Sequence, residues 1–164
     1  MRRLIVMRHA KSSWAEPDQR DHDRPLNGRG RRDAPAMGAW LRQADAAPDA
    51  ALVSTAQRTR ETWALLGFAD VPVTLRADLY HAEPAAILAA LRDAPEVETL
   101  LVLGHQPGIG AAARLLPATP PESPDFAKYP TTATTIIAFD VGSWAQVGWG
   151  EGRVEAFRTP RSLG

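Results

Sequence analysis

The chain contains no cysteine. That removes disulfides, a thiolate nucleophile and any cysteine-based zinc site, and it leaves no sign of an oxidising compartment. An excess of either charge is also missing, since 19 Lys and Arg balance 19 Asp and Glu. Nucleic-acid binding through bulk positive potential needs a basic face, so the balance argues against that class, while it does not exclude a small local anion site. No apolar run approaches the length of a membrane span. Arg2 and Arg3 precede an apolar stretch too short for a secretory signal, and no cleavage site of small residues follows it. The expectation is a cytoplasmic protein with neither nucleic acid nor membrane as partner. Internal repeats and flexible linkers are absent too, and 164 residues suit a single domain over 1–164.

What is present is an alternation of strand-like and helix-like segments. Leu4–Met7 is uninterrupted apolar chain, the pattern of a strand buried on both faces. Glu16–Pro25 is polar and predicts a loop. Asn27 is a candidate cap for a helix from Gly28 to about Ala44. Ala50–Val53 predicts a short strand, with Ser54 or Thr55 capping a helix that Gly67 ends. Val71–Leu75 is a further candidate strand, and Pro72 either breaks it or confines it to an edge. A helix over Glu83–Arg92, a strand over Thr99–Leu103 and a helix with Pro107 in its first turn, to about Leu116, follow. Pro117–Pro130 predicts one long irregular segment. Thr134–Phe139 and Ala145–Phe157 predict two late strands joined by a turn at Asp140–Trp144, with no helix between them, and hence an antiparallel pair. The sum is an α/β fold with a mostly parallel central sheet covered on both faces.

In such sheets, ligands sit beyond the carboxyl ends of the strands. Arg8 and His9 follow the first strand, Ser54 to Arg58 follow the second, and Gly104-His105 follow the strand at Thr99–Leu103. Arg8, His9, Arg58 and His105 are all cations or N–H donors. Two guanidinium forks and a helix N-terminus suit an anion with several oxygens, above all a phosphoryl group. Binding alone does not need two histidines. A neutral imidazole is also a nucleophile, and nearby arginines favour the neutral form.

These residues carry a resemblance. Arg8-His9-Ala10-Lys11-Ser12-Ser13-Trp14, the segment Asp23-Arg24-Pro25-Leu26-Asn27 with Gly30, Ser54–Thr62 and Gly104-His105-Gln106-Pro107-Gly108 resemble, in order and spacing, the four signature segments of the histidine phosphatase superfamily. This superfamily is also called phosphoglycerate mutase-like. Within it the chain looks most like the small SixA-type phosphohistidine phosphatases. The resemblance implies a three-layer α/β/α sandwich and a phosphatase that works through a phosphohistidine on His9, with Arg8, Arg58 and His105 forming the phosphate pocket. It implies no metal and no other cofactor. It points to a phosphorylated protein as substrate, a histidine phosphotransfer domain or a phosphotransferase-system carrier, because the short chain has no room for the insertions that close the site in larger members. A small phosphate ester, or a non-catalytic phosphate-binding module, are the alternatives.

The sequence departs from the family pattern where Ala10 replaces a glycine, Ala15 an asparagine and Gln106 an asparagine. Asp78 falls near the place of the family's general acid, with His81, Glu83, Asp21 and Asp23 as rivals. Arg60 and Glu61 read as a solvated helix face, and the five tryptophans as packing residues.

Overall fold

The computed structural model describes all residues from 1 to 164. Six strands form one sheet: β1 (Arg2–Arg8), β2 (Ala50–Ser54), β3 (Val73–Arg76), β4 (Thr99–Gly104), β5 (Thr134–Phe139) and β6 (Arg153–Arg158). Their spatial order is β3-β2-β4-β1-β5-β6. The first four pair in parallel, and β5 runs antiparallel to both β1 and β6. Five helices lie between strands: α1 (Gly28–Gln43), α2 (Gln57–Leu66), α3 (Pro84–Arg92), α4 (Gly108–Leu115) and α5 (Pro124–Lys128).

Side chains of a strand alternate between faces, so each apolar run feeds two layers. Leu4, Val6, Leu52, Leu100 and Val102 pack on one side with Leu88 and Leu91 of α3, Ile109 of α4 and Phe126 of α5. Ile5, Met7, Val53, Leu101 and Leu103 pack on the other with Met37 and Leu41 of α1 and Leu66 of α2. This is the expected three-layer sandwich, and it explains why β1 and β4 carry no polar residue in their centres.

Asn27 caps α1 as expected, its side-chain oxygen accepting from Gly30 N at 2.9 Å. Helices α1 and α2 cross closely at Gly38, where a Cβ would come within 2.0 Å of the Leu66 carbonyl oxygen. Gly38→Ala therefore destabilises the fold by about 2 kcal/mol, although alanine is the better helix former, because backbone cannot yield as a side chain can. A drop in the urea midpoint measures it; a rise would show that the two helices separate freely.

Several local expectations are corrected. The cap of α2 is Ala56, without a side-chain hydrogen bond, because Ser54 completes β2 and turns its hydroxyl elsewhere. Pro107 stands at the N-cap of α4, one residue before the helix begins. The segment Pro117–Pro130 is not irregular throughout, since Ser123 caps the short α5 by accepting from Phe126 N. The strand expected over Ala145–Phe157 is confined to Arg153–Arg158. Trp144–Gln146 forms a 3-10 turn, and Gly148, Gly150 and Gly152 break the run between them. Only one tryptophan, Trp144, is wholly buried, while Trp14 and Trp149 are exposed. Glu61 is not simply solvated, because its carboxylate accepts from Leu26 N at 3.1 Å. No helix is long and apolar enough to cross a membrane.

Candidate active site

Strand pairing builds the site. Parallel β1 and β4 are in register to Arg8 opposite Gly104, and His9 N continues the ladder by donating to Gly104 O at 3.1 Å. The next residues on the two strands are thus neighbours, and the rings of His9 and His105 lie 5.2 Å apart. On the far side of β4, β2 ends at Ser54, and Arg58 stands in the first turn of α2. Arg8, His9, Arg58 and His105 accordingly line one cleft of about 330 Å³ at the carboxyl end of the sheet. Lys11, Ser12, Trp14, Arg24, His81, Gln106 and Thr131 complete its wall, so four cations and no carboxylate face it.

His9 is 6 % exposed, and its Nδ1 donates to the Ala10 carbonyl at 2.7 Å. A carbonyl can only accept, so Nδ1 carries the proton and Nε2 keeps its lone pair. Burial pushes the imidazole pKa down to about 3, and the charges of Arg58, Arg8 and Arg24 act in the same direction against the opposing Ala10 hydrogen bond. His105, 5 % exposed, is pushed down to about 2, first by burial and then by its neighbours His9, Arg58 and His81. Both rings are neutral at ordinary pH.

Each guanidinium is held from behind. Arg58 donates through Nη1 to Asp21 O at 2.7 Å and through Nη2 to Asp21 Oδ2 at 3.0 Å. Arg24 reaches the other oxygen of the same carboxylate at 3.2 Å, donates to Ser12 Oγ at 3.0 Å and stacks on Trp14 with its guanidinium 3.6 Å from the ring centre. Arg8 donates to Tyr129 O at 3.1 Å. That carbonyl is aimed by the left-handed residue closing α5, so the late part of the Pro117–Pro130 segment is a support of the site. Burial and the Arg58 charge lower the Arg8 pKa from its ordinary value. Thr62 ties the layers together, accepting from Ala10 N at 3.0 Å and donating to Arg58 O at 2.7 Å. Gly30 lets α1 approach the loop after β1, since a Cβ there would lie 2.3 Å from Lys11 O.

The candidates for a general acid separate. Asp78 is exposed and engaged by both ends of the Arg76 fork, at 2.9 and 2.6 Å, and that hydrogen bonding lowers its pKa. Asp21 is partly desolvated, which raises its pKa, but hydrogen bonds from Tyr80 and Arg58 and the Arg58 charge outweigh this and hold the carboxyl well below the usual range. Neither has a proton to give near neutrality. Asp23 and Glu83 are exposed and do not line the cleft, whereas His81 does. The replaced asparagine at Gln106 has a structural use: its Oε1 accepts from Gly110 N at 2.7 Å and its Nε2 donates to Lys128 O, joining α4 to α5. Ala15 is exposed, and Ala10 fills a small buried cluster with Leu26 and Ala34.

Sequence reasoning did not single out Arg24 or Ser54 as site residues. Arg24 sits in a polar loop that reads as solvent-exposed, yet it is 7 % exposed. Ser54 reads as a helix cap. The one available signal was their position within the conserved-looking segments already matched.

Two neutral imidazoles among arginines at the carboxyl end of the parallel strands form a cationic cleft suited to an anion with several oxygens, in a three-layer sandwich. Residues 4–83 match the model of the histidine phosphatase superfamily (branch 1). An uncharacterized protein of Mycobacterium tuberculosis is 40 % identical over 162 residues, covering 94 % of this chain and all of its own. A Nakamurella multipartitia protein provisionally called phosphohistidine phosphatase SixA superposes with a TM-score of 0.84 at 34 % identity, covering 97 % of this chain and 96 % of its own. The protein histidine phosphatase SixA in complex with tungstate has the same fold, with a TM-score of 0.80, 22 % identity and 99 % coverage of each chain. The chain belongs to the histidine phosphatase superfamily. Within that superfamily it is of the SixA type.

Proposed function

We propose that this protein removes the phosphoryl group from a protein phosphohistidine through a covalent intermediate on His9. The carrying observation is the anchored tautomer of His9, with Nδ1–H committed to the Ala10 carbonyl and the Nε2 lone pair left for phosphorus inside a cationic cleft. In the first step, Nε2 forms a bond to phosphorus as the substrate's P–N bond breaks, and the departing imidazole takes its proton from solvent. In the second, water attacks phosphorus, the P–Nε2 bond breaks, and inorganic phosphate leaves. Arg8, Arg58 and His105 stabilise charge on the phosphoryl oxygens, the main requirement of phosphoryl transfer. Arg24 and Lys11 add to the same field.

The open rim supports a protein substrate of the histidine phosphotransfer or phosphotransferase-system carrier type. Trp14 stands at the edge of the cleft with 72 % of its surface exposed, and no inserted domain covers the phosphate pocket. The test is phosphate release, in the presence of a chelator, from a phosphohistidine protein and from an aryl phosphate. The expected kcat/KM is at least about a hundredfold higher for the phosphohistidine protein, because a P–N leaving group needs little acid assistance and Asp78 and Asp21 supply none. Preference for the aryl phosphate would favour a small phosphate ester, which the cleft volume also admits. Binding of phosphate without turnover of either would leave a non-catalytic module.

A further inference from the structure

Ser54 is completely buried at the end of β2, and its hydroxyl lies 2.8 Å from His105 Nε2. The same oxygen accepts a hydrogen bond from Ala56 N at 3.3 Å. On the other side of the imidazole, His105 Nδ1 is buried and makes no hydrogen bond within the protein. The direction of the Ser54–His105 hydrogen bond therefore decides what the ring offers to the cleft.

Two arrangements are possible for a neutral ring. If Nε2 carries the proton, it donates to Ser54 Oγ, which already accepts from Ala56. The serine proton then has no acceptor within the protein, and a second polar atom, Nδ1, is left with an unpaired lone pair on a ring that lines the cleft. If Nδ1 carries the proton, Ser54 donates to Nε2, every bond of the hydroxyl is satisfied, and the one unmatched atom is an N–H in a phosphate cleft. The first arrangement leaves two buried polar atoms unmatched, while the second leaves only the Nδ1–H, which a bound anion satisfies, so the second arrangement wins.

We propose that Ser54 is a positioning residue that holds His105 in its Nδ1–H tautomer, so that this imidazole presents a hydrogen-bond donor to the phosphoryl oxygens. The proposal deepens the phosphatase reading and rests on it for the consequence in catalysis. The two histidines then carry their protons on the same ring atom but serve opposite purposes. His9 gives its N–H to a backbone carbonyl and keeps a lone pair for attack. His105 accepts a hydrogen bond from a serine hydroxyl and keeps an N–H for the oxyanion. The chain sets the two roles by the partner behind each ring, a carbonyl for one and a hydroxyl for the other.

Long-range proton–nitrogen correlation spectra of nitrogen-15-labelled protein at neutral pH read both tautomers directly. In the wild type, the proton is expected on Nδ1 of both His9 and His105. In Ser54→Ala, His9 keeps its pattern, which also reports an intact fold, while His105 loses its exclusive Nδ1–H form. Binding of orthovanadate weakens about tenfold, and kcat falls tenfold or more with a much smaller change in KM, as for loss of an oriented oxyanion donor. Ser54→Thr, which keeps the hydroxyl, restores the His105 tautomer and most of the vanadate affinity. A wild-type His105 protonated at Nε2 would overturn the proposal, as would an unchanged tautomer and unchanged vanadate affinity in Ser54→Ala. An Nδ1–H His105 with vanadate binding but no phosphatase turnover would instead overturn the functional reading and leave this one standing.

Discussion

His9→Ala is expected to reduce phosphate release from a phosphohistidine protein by roughly a thousandfold or more, because the proposed mechanism carries the phosphoryl group on this side chain. His105 lies 5.2 Å away, centroid to centroid, and is also neutral, so it is the nearest candidate for a substitute, with His81 further out in the cleft wall. The Nε2 of His105 faces Ser54 rather than substrate. The variant keeps Arg8, Arg58 and His105, and should still bind vanadate within about tenfold of the wild type. That separates loss of a nucleophile from loss of the pocket. Acid quenching with labelled phosphohistidine substrate should trap acid-labile phosphate on the wild type and none on the variant. Turnover by His9→Ala near the wild-type rate, or a phosphoryl group trapped on another residue, would remove His9 from its role.

The second large effect concerns acid. The native pKa values of His9 and His105 are pushed down to about 3 and about 2, in each case chiefly by burial. An unfolded histidine titrates near 6.5. Above that pH both states are unprotonated and the histidines add no pH dependence. Below it the unfolded chain binds protons that the native chain excludes, so stability falls as pH falls, and continues to fall until the native pKa values are reached. At pH 4.5 the loss is on the order of 3 kcal/mol for each ring. Asp21 does not confuse this window. Its native pKa is held below the ordinary carboxylate value, so its contribution is intact above about pH 4 and disappears only under more acidic conditions. Urea midpoints at pH 7 and pH 4.5 should therefore differ strongly in the wild type and less in His105→Asn. Equal midpoints for the wild type at the two pH values would show that the rings are protonated in the native state. The same depression keeps the His9 lone pair free throughout this range, so an acid limb in kcat near pH 6.5 would also speak against it.

How much of this could be read from the chain depends on how local each cause is. β1 and β4 were legible because burial on both faces demands unbroken apolar runs, whereas Pro72 left the strand at Val71–Leu75 open, and the structure places it at the sheet edge over Val73–Arg76. The capped start of α1 is a contact within one turn, Asn27 to Gly30. The cap of α2 failed for the opposite reason. Ser54 has the right chemistry for a cap and the right position, but a ring on another strand competes for its hydroxyl and wins. The Ala145–Phe157 strand failed because apolar content in a glycine-rich stretch does not specify a ladder. Trp14 and Trp149 failed as packing residues because a single apolar side chain says nothing about which surface it meets.

The candidate site divides in the same way. Arg8, His9, Arg58 and His105 were legible as a group because strand ends and helix starts are local features, and the rule that ligands sit beyond the carboxyl ends of parallel strands joins them. Their protonation states were not. The sequence by itself determined the two apolar strands, the residues at their ends and a phosphate-seeking set of side chains. Only the tertiary structure decided that Arg8 opposite Gly104 makes His9 and His105 neighbours, that Asp21 is a strut for Arg58 and Arg24 rather than an acid, and that Ser54 stands behind His105. The physical reason is that burial, charge proximity and hydrogen-bond direction are set by residues distant along the chain, and these are what fix a proton on one ring atom rather than another.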